Sequence, residues 1–156
     1  MTEDELVEAI RRTVAGRNVP PPATREAIAE TEAACGYSLP PLLVRLLTEV
    51  ANGGFGPRNA FYGVRGHNWH SSEHFPDMTE AAIDAVRHPE WSQRRWCLPL
   101  IDWGCGMTTL IDCREPSGPL WGWDAGLFPL NQNLAEMLEH ALTTEDDQPF
   151  AGYSQI

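Results

Sequence analysis

The spacing of apolar residues changes character after Gly54, and that change limits the class of fold available to the chain. Before it, the apolar positions follow helical periods. Leu6, Ile10 and Val14 recur at four-residue steps, and Leu42, Leu43, Leu46, Leu47 and Val50 make a dense stripe. After it, short runs rich in β-branched and aromatic residues alternate with Gly and Pro turns, with one helix inserted and one at the end. Helices first and an antiparallel sheet later describe an α+β chain; alternating βαβ units would give a different pattern.

The punctuation between these runs places the elements. Thr2 with Glu5 has the spacing of a capping box and opens a first helix, which Gly16 ends. Pro20-Pro21-Pro22 reads as an extended linker, because each proline fixes φ and removes a donor. A second helix runs from Thr24 to Gly36. Ser38 is expected to cap a third, with Pro40-Pro41 in its first turn and Asn52-Gly53-Gly54 at its end. The short link predicts that these two helices pack as a pair. Phe61 to Val64 is a strand candidate, and Arg65 to Pro76 reads as a polar loop. Asp77 with Glu80 opens a short inserted helix that stops before Pro89.

Strands are expected over Trp96–Ile101, with Pro99 marking an edge or bulge, and over Met107–Cys113. Pro116-Ser117-Gly118 supplies a turn, and Leu120–Trp123 returns as a hairpin or meander. Asn131 or Asn133 caps a C-terminal helix carrying Leu134, Leu138 and Leu142. At 156 residues this is a single domain, 1–156, in which 1–22 is an N-terminal helix and Pro-rich linker and 143–156 a loosely held tail. The expected architecture is N-terminal helices packed on a short, mostly antiparallel sheet, with one inserted and one C-terminal helix.

Charge narrows the partners. The chain carries 22 Asp+Glu against 11 Lys+Arg, a net charge of −11, and every one of those cations is Arg. Nucleic-acid affinity rests on cations that neutralise phosphates, so no nucleic-acid partner is expected. A solvated acidic surface or a basic partner would each account for the balance. No apolar run approaches the roughly 20 residues that a membrane span requires, so no membrane partner is expected. Met1–Glu5 is acidic and lacks the basic start of a secretory leader. Cys35, Cys97, Cys105 and Cys113 contain no CxxC pair and read as reduced thiols in a cytoplasmic protein.

Three stretches resemble the SUKH superfamily, the SMI/KNR-type proteins. Ile28-Ala29-Glu30 through Gly36-Tyr37-Ser38-Leu39-Pro40, with Leu46 and Leu47 beyond, is similar to that family's Glu-bearing helix, Gly turn, Leu-Pro step and Leu-rich helix. Ala51-Asn52-Gly53-Gly54 resembles the helix's ending. Leu98-Pro99-Leu100-Ile101, Gly104-Cys105-Gly106 and the strand ending near Asp112 resemble its Leu-Pro strand, Gly-rich turn and following strand. The resemblance covers roughly Ala23 to Leu142. It implies a protein-interaction module without catalysis or cofactor: an immunity protein of a polymorphic toxin system that binds and neutralises a cognate toxin domain, frequently a nuclease. A regulatory module with no toxin partner is the alternative. The oligomeric state is left open.

A phosphate-binding toxin would be basic, and an inhibitor covering its active face should be acidic and aromatic. Six Trp residues are many for this length. Trp103 beside Asp102 lies near the Gly-rich turn. Trp121 and Trp123 flank Gly122, so in a strand both point to one face, with Asp124 next. That face either meets the partner or fills the core. Glu115 sits in the hairpin turn. Asp102, Trp103, Glu115, Trp121, Trp123 and Asp124 are therefore the candidate contact residues.

Two chemistries compete with binding. His67, His70 and His74 with Glu73 have spacings that a helix would align around zinc, but Gly66, Asn68, Ser71, Ser72 and Pro76 suit a polar loop better. Cys105, between two glycines, is the most accessible thiol and the nucleophile that a small Cys–His hydrolase would use.

Overall fold

The computed structural model describes residues 1–69, 77–145 and 148–150. Helix α1 is Glu3–Val14, α2 Arg25–Cys35 and α3 Pro41–Glu49. Thr2 and Thr24 cap the first two through their hydroxyls, each accepting a backbone N–H at 3.1 Å. α2 ends on Gly36 at φ 83°, a left-handed position that suits glycine. α3 departs from expectation. Its N-cap is Pro40, without a side-chain cap, and Ser38 is exposed outside it. The Glu32 carboxylate instead accepts from the Leu39 N–H at 2.7 Å, so α2 holds the lead-in to α3.

The main partner of α2 is also not its neighbour in sequence. It packs chiefly on α4 (Met78–Arg87), the helix that Asp77 caps. The Thr31 and Thr79 hydroxyls meet at 2.7 Å in that interface, and Arg65 pairs with Glu30 on α2 and Glu80 on α4. A four-residue turn, α5 (Pro89–Ser92), leads to the sheet.

The sheet is an antiparallel meander in the order β1-β2-β3-β4: β1 Cys97–Gly104, β2 Met107–Asp112, β3 Pro119–Trp123 and β4 Leu127–Asn133. Pro99 stands on the edge strand, beside a register shift between Pro99 and Ile101, so both readings of that proline hold. β4 was not expected; its pairing with β3 makes a strand of a segment that carries Pro129, two Asn and a Gln beside Leu127, Phe128 and Leu130. The candidate strand at Phe61–Val64 reduces to an isolated bridge from Phe61 to Ile101. A Cβ on Gly63 would collide with Asn52, so the chain here lies against the end of α3 and leaves the sheet. Asn133 caps α6 (Leu134–Thr143) with a full capping box to Glu136.

The core lies between the helices and one face of the sheet. Leu6, Leu43, Leu46 and Leu47 from the helices meet Leu98, Ile101, Ile111 and Leu120 from the sheet, all fully buried. Each such side chain contributes about 1.5–3 kcal/mol relative to exposure. Beyond α6, Phe150 lies edge-on to Phe128 on β4, with ring centres 5.2 Å apart. No helix among the described residues is long and apolar enough to cross a membrane.

Candidate functional site

Strand alternation sorts the sheet into two faces. Ile101, Thr109, Ile111, Leu120 and Gly122 point inward and are buried. Asp102, Thr108, Leu110, Trp121 and Trp123 point outward and are half-buried, and Pro129 on the same face is exposed. The two indoles that period two placed together are thus together, on the face turned away from the core. Across the strands, Leu110 pairs with Trp121 and Trp121 with Pro129, while Thr108 pairs with Trp123 and Trp123 with Leu127. The result is an apolar surface two residue rows deep.

Trp103 is not part of it. Adjacent strand residues face opposite ways, and Trp103 turns inward next to the outward Asp102. It is 8% exposed, and its indole N–H donates to Thr109 Oγ1 at 2.8 Å. Arg58 covers its ring, with the guanidinium carbon 5.1 Å from the ring centre. Trp103 belongs to the core, which corrects its grouping with the surface aromatics.

The three candidate carboxylates rim the outer face. Asp102 and Asp124 lie at one end, beside the β1–β2 and β3–β4 turns. Glu115 lies at the other end, exposed in the β2–β3 turn. Asp102 Oδ1 accepts from the Gly104 N–H at 2.8 Å. Among the described residues none of the three has a cationic partner. The contrast with the helical side is direct. There Arg45 holds Glu3, Asp4 and Glu49 at 3.2, 2.7 and 2.9 Å, Arg65 holds Glu30 and Glu80, and Arg11 holds Glu8. Glu5 and Glu26 occupy first turns, where the helix dipole favours them.

A third group on this face was missed from the sequence: Trp96, Asp112 and Arg114 beside Trp121. Asp112 is 4% exposed although it points outward. It accepts from Arg114 Nη2 at 2.8 Å, from Arg114 Nε at 3.1 and 3.3 Å, from the Arg114 backbone N–H at 2.8 Å and from the Trp121 indole N–H at 3.3 Å. Arg114 stacks on Trp96, its guanidinium carbon 3.6 Å from the ring centre, and Trp96 meets Trp121 edge-on at 5.6 Å. Burial alone would raise the Asp112 pKa; the guanidinium and these N–H donors outweigh it and hold the carboxyl below its usual range. No spacing rule links Trp96 to Trp121. Asp112 with Arg114, one charge pair two residues apart at a strand end, was the available signal.

Cys105 is exposed at the tip of the β1–β2 turn, where Gly104, Cys105 and Gly106 all have positive φ (82°, 51° and 79°). Cys35 and Cys113 are buried. His67 is exposed; His70, Glu73 and His74 lie outside the described residues, among which no cluster of His, Cys, Asp and Glu could hold a metal.

A sequence profile of the SMI1/KNR4 family (SUKH-1) matches residues 22–140, most of the chain and all of the sheet. The chain belongs to the SMI1/KNR4 family (SUKH-1). Its five longer helices and four-stranded antiparallel sheet fit a SUKH-like fold, and immunity-type function through protein contact is consistent with that membership. No match is found among curated proteins. The match begins at Pro22, so α1 lies outside the matched residues.

Proposed function

We propose that this SUKH-1 protein is a cytoplasmic immunity protein, which binds the toxin domain of a cognate effector of a polymorphic toxin system and neutralises it by occlusion. The observation that supports this beyond family membership is the outer face of the sheet. Two indoles share a half-open apolar surface, and carboxylates without ion pairs among the described residues stand around it. Aromatic anchors supply the desolvated centre that tight inhibition requires. An acidic rim speeds association with a basic domain, such as a phosphate-binding nuclease, and disfavours acidic competitors. Asp102, Glu115, Trp121, Trp123 and Asp124 would make the contacts, and Trp103 would support the sheet from beneath. The chain itself performs no chemistry in this mechanism.

Co-expression tests it. The C-terminal domain of the effector encoded beside this gene should arrest growth alone and be harmless with this protein, and Cys105→Ala should protect equally well. Loss of protection by a stably folded Cys105→Ala protein would point to a hydrolase. A domain that neither binds nor is neutralised would leave the regulatory module as the better account.

A further inference from the structure

An interface gains affinity when its anchors are already held in the bound rotamer, because little side-chain freedom is then lost on association. The outer face holds one such group. Asp112 takes Arg114 through both carboxylate oxygens, Arg114 lies flat on Trp96, and Trp121 is fixed from two sides, by the Asp112 carboxylate and by the Trp96 ring. Yet Arg114 is not used up. Its side chain is 44% exposed, and among the described residues Nη1 has no acceptor. A stacked, chelated guanidinium with free N–H groups stands beside an indole at the rim of the apolar surface.

The position of this group and the state of the sheet edges limit what can dock there. β1 carries Pro99 and a register shift, and its outer edge is partly taken by the Tyr62 N–H bonding Leu100 O at 2.9 Å. β4 carries Pro129 and a left-handed residue, Asn131 at φ 56°. Edges of this kind resist addition of another strand, so a partner meets the face. Thr108 to Asp112 spans four residue steps, roughly 13 Å at 3.3 Å per step. The two ends therefore differ: Arg114 with Trp121 and Glu115 at one, Trp123 with Asp102 and Asp124 at the other.

We propose that Trp96, Asp112, Arg114 and Trp121 form a preset anchor for a basic protein domain, in which Asp112 positions the other three and Arg114 Nη1 donates to a backbone carbonyl of a partner loop. A basic domain is the occupant because the rim carboxylates at the far end select cations. A backbone carbonyl is the acceptor because it is available in any basic loop, where carboxylates are scarce. This rests on the functional reading above. Asp112 is a positioning residue; Arg114 and Trp121 make contact. The arrangement also sets register, since rotating the partner end for end would take its carbonyl away from Arg114 Nη1.

The test uses the full chain and, as probe, the purified C-terminal domain of the neighbouring effector. In the free protein, Asp112→Asn should move the Trp121 indole N–H resonance while the thermal transition stays cooperative. By calorimetry, Asp112→Asn and Arg114→Ala should each weaken binding at least tenfold, and the double variant should be no weaker than the worse single one, as expected for one unit. Arg114→Lys keeps the charge but neither the fork nor the flat stack, and should bind as poorly as Arg114→Ala. Full rescue by lysine, or additive losses, would overturn the anchor. If the wild type binds and Asp112→Asn, Arg114→Ala and Trp121→Ala bind equally well, the anchor is wrong and the immunity reading survives. If the wild type does not bind, both fall.

Discussion

Asn52 and Val64 exchange two hydrogen bonds: Asn52 Nδ2 donates to Val64 O at 2.9 Å, and Asn52 Oδ1 accepts from the Val64 N–H at 2.8 Å. The same amide donates to His67 O at 3.0 Å, and the Asn52 carbonyl accepts from the Trp69 N–H at 3.0 Å. A side chain 1% exposed thereby substitutes for a strand neighbour, which is why Phe61–Val64 is ordered without joining the sheet. Asn52→Ala would strand buried donors and acceptors on Val64 and should cost about 2–4 kcal/mol in chemical denaturation. Asn52→Asp keeps the acceptor and loses the donor, so it should also destabilise. Gly63→Ala should be worse than either, because its Cβ would collide with both Asn52 oxygens.

Thiol reactivity should divide the four cysteines. Cys105 is exposed and should react at once with an aromatic disulfide reagent in the native state. Burial pushes the Cys97 thiol up to about 12, which keeps it protonated and slow. Cys35 is lowered by a hydrogen bond from Cys113, and Cys113 is raised by the same contact and by burial. Neither is reachable while folded, so access decides the rate for both. One fast thiol per chain, and four in denaturant, is the expected titration.

Local signals carried well where the interaction is local. Thr2 and Asp77 cap the helices that their spacing announced, Thr24 caps the helix expected to start there, and of Asn131 and Asn133 it is Asn133 that caps the last. Period two placed Trp121 and Trp123 on one face because alternation needs only their own strand. What failed was non-local. Leu127–Asn133 is interrupted by Pro129 and ends in Asn-Gln-Asn, and pairing with β3 makes it a strand. Nothing near Ser38 indicated that Glu32, six residues earlier, would take over the lead-in to α3. Trp103 was grouped by chain adjacency with residues on the opposite face. The Asp112 cluster needs Trp96, 25 residues before Trp121, and becomes visible only once β1, β2 and β3 are aligned.

The two faces should separate two kinds of tryptophan variant. Trp103→Ala empties a core position and leaves Thr109 Oγ1 without its partner, so a loss of about 3–5 kcal/mol in stability is expected. Trp123→Ala acts on the outer face and should cost about 1 kcal/mol or less. Binding of the effector domain should respond the opposite way. Trp123→Ala should weaken it at least tenfold, while Trp103→Ala, measured where it remains folded, should bind nearly as wild type. Equal stability losses for both would mean that the outer face is packed against the rest of the chain.

Asp112 should also leave a mark on acid unfolding. Its folded pKa lies below that of the unfolded carboxyl, near 3.9. Its contribution is therefore complete above the unfolded value and fades as pH falls through the folded one. The stability gap between wild type and Asp112→Asn should be constant from neutrality to about pH 5 and narrow below about pH 4. Chemical denaturation at each pH checks this. A gap that widened on acidification would mean that Arg114 does not stabilise the charged carboxylate.

Association kinetics test the acidic rim separately from the aromatic centre. Carboxylates without ion pairs act at a distance, so they raise the rate at which a basic domain arrives and contribute less to how long it stays. The on-rate should fall by roughly tenfold or more between low ionic strength and about 0.5 M salt, where the Debye length shrinks to a few ångströms. The triple variant Asp102→Asn, Glu115→Gln and Asp124→Asn should bind more slowly at low salt and show a shallower salt slope, with its off-rate little changed. Neutralising Glu3, Asp4 and Glu49 instead changes the net charge equally but on the helical side, more remote from the docking face, so screening should leave the on-rate nearer wild type. A salt slope that responds equally to both triple variants would mean that total charge, rather than the rim of the sheet, steers the encounter.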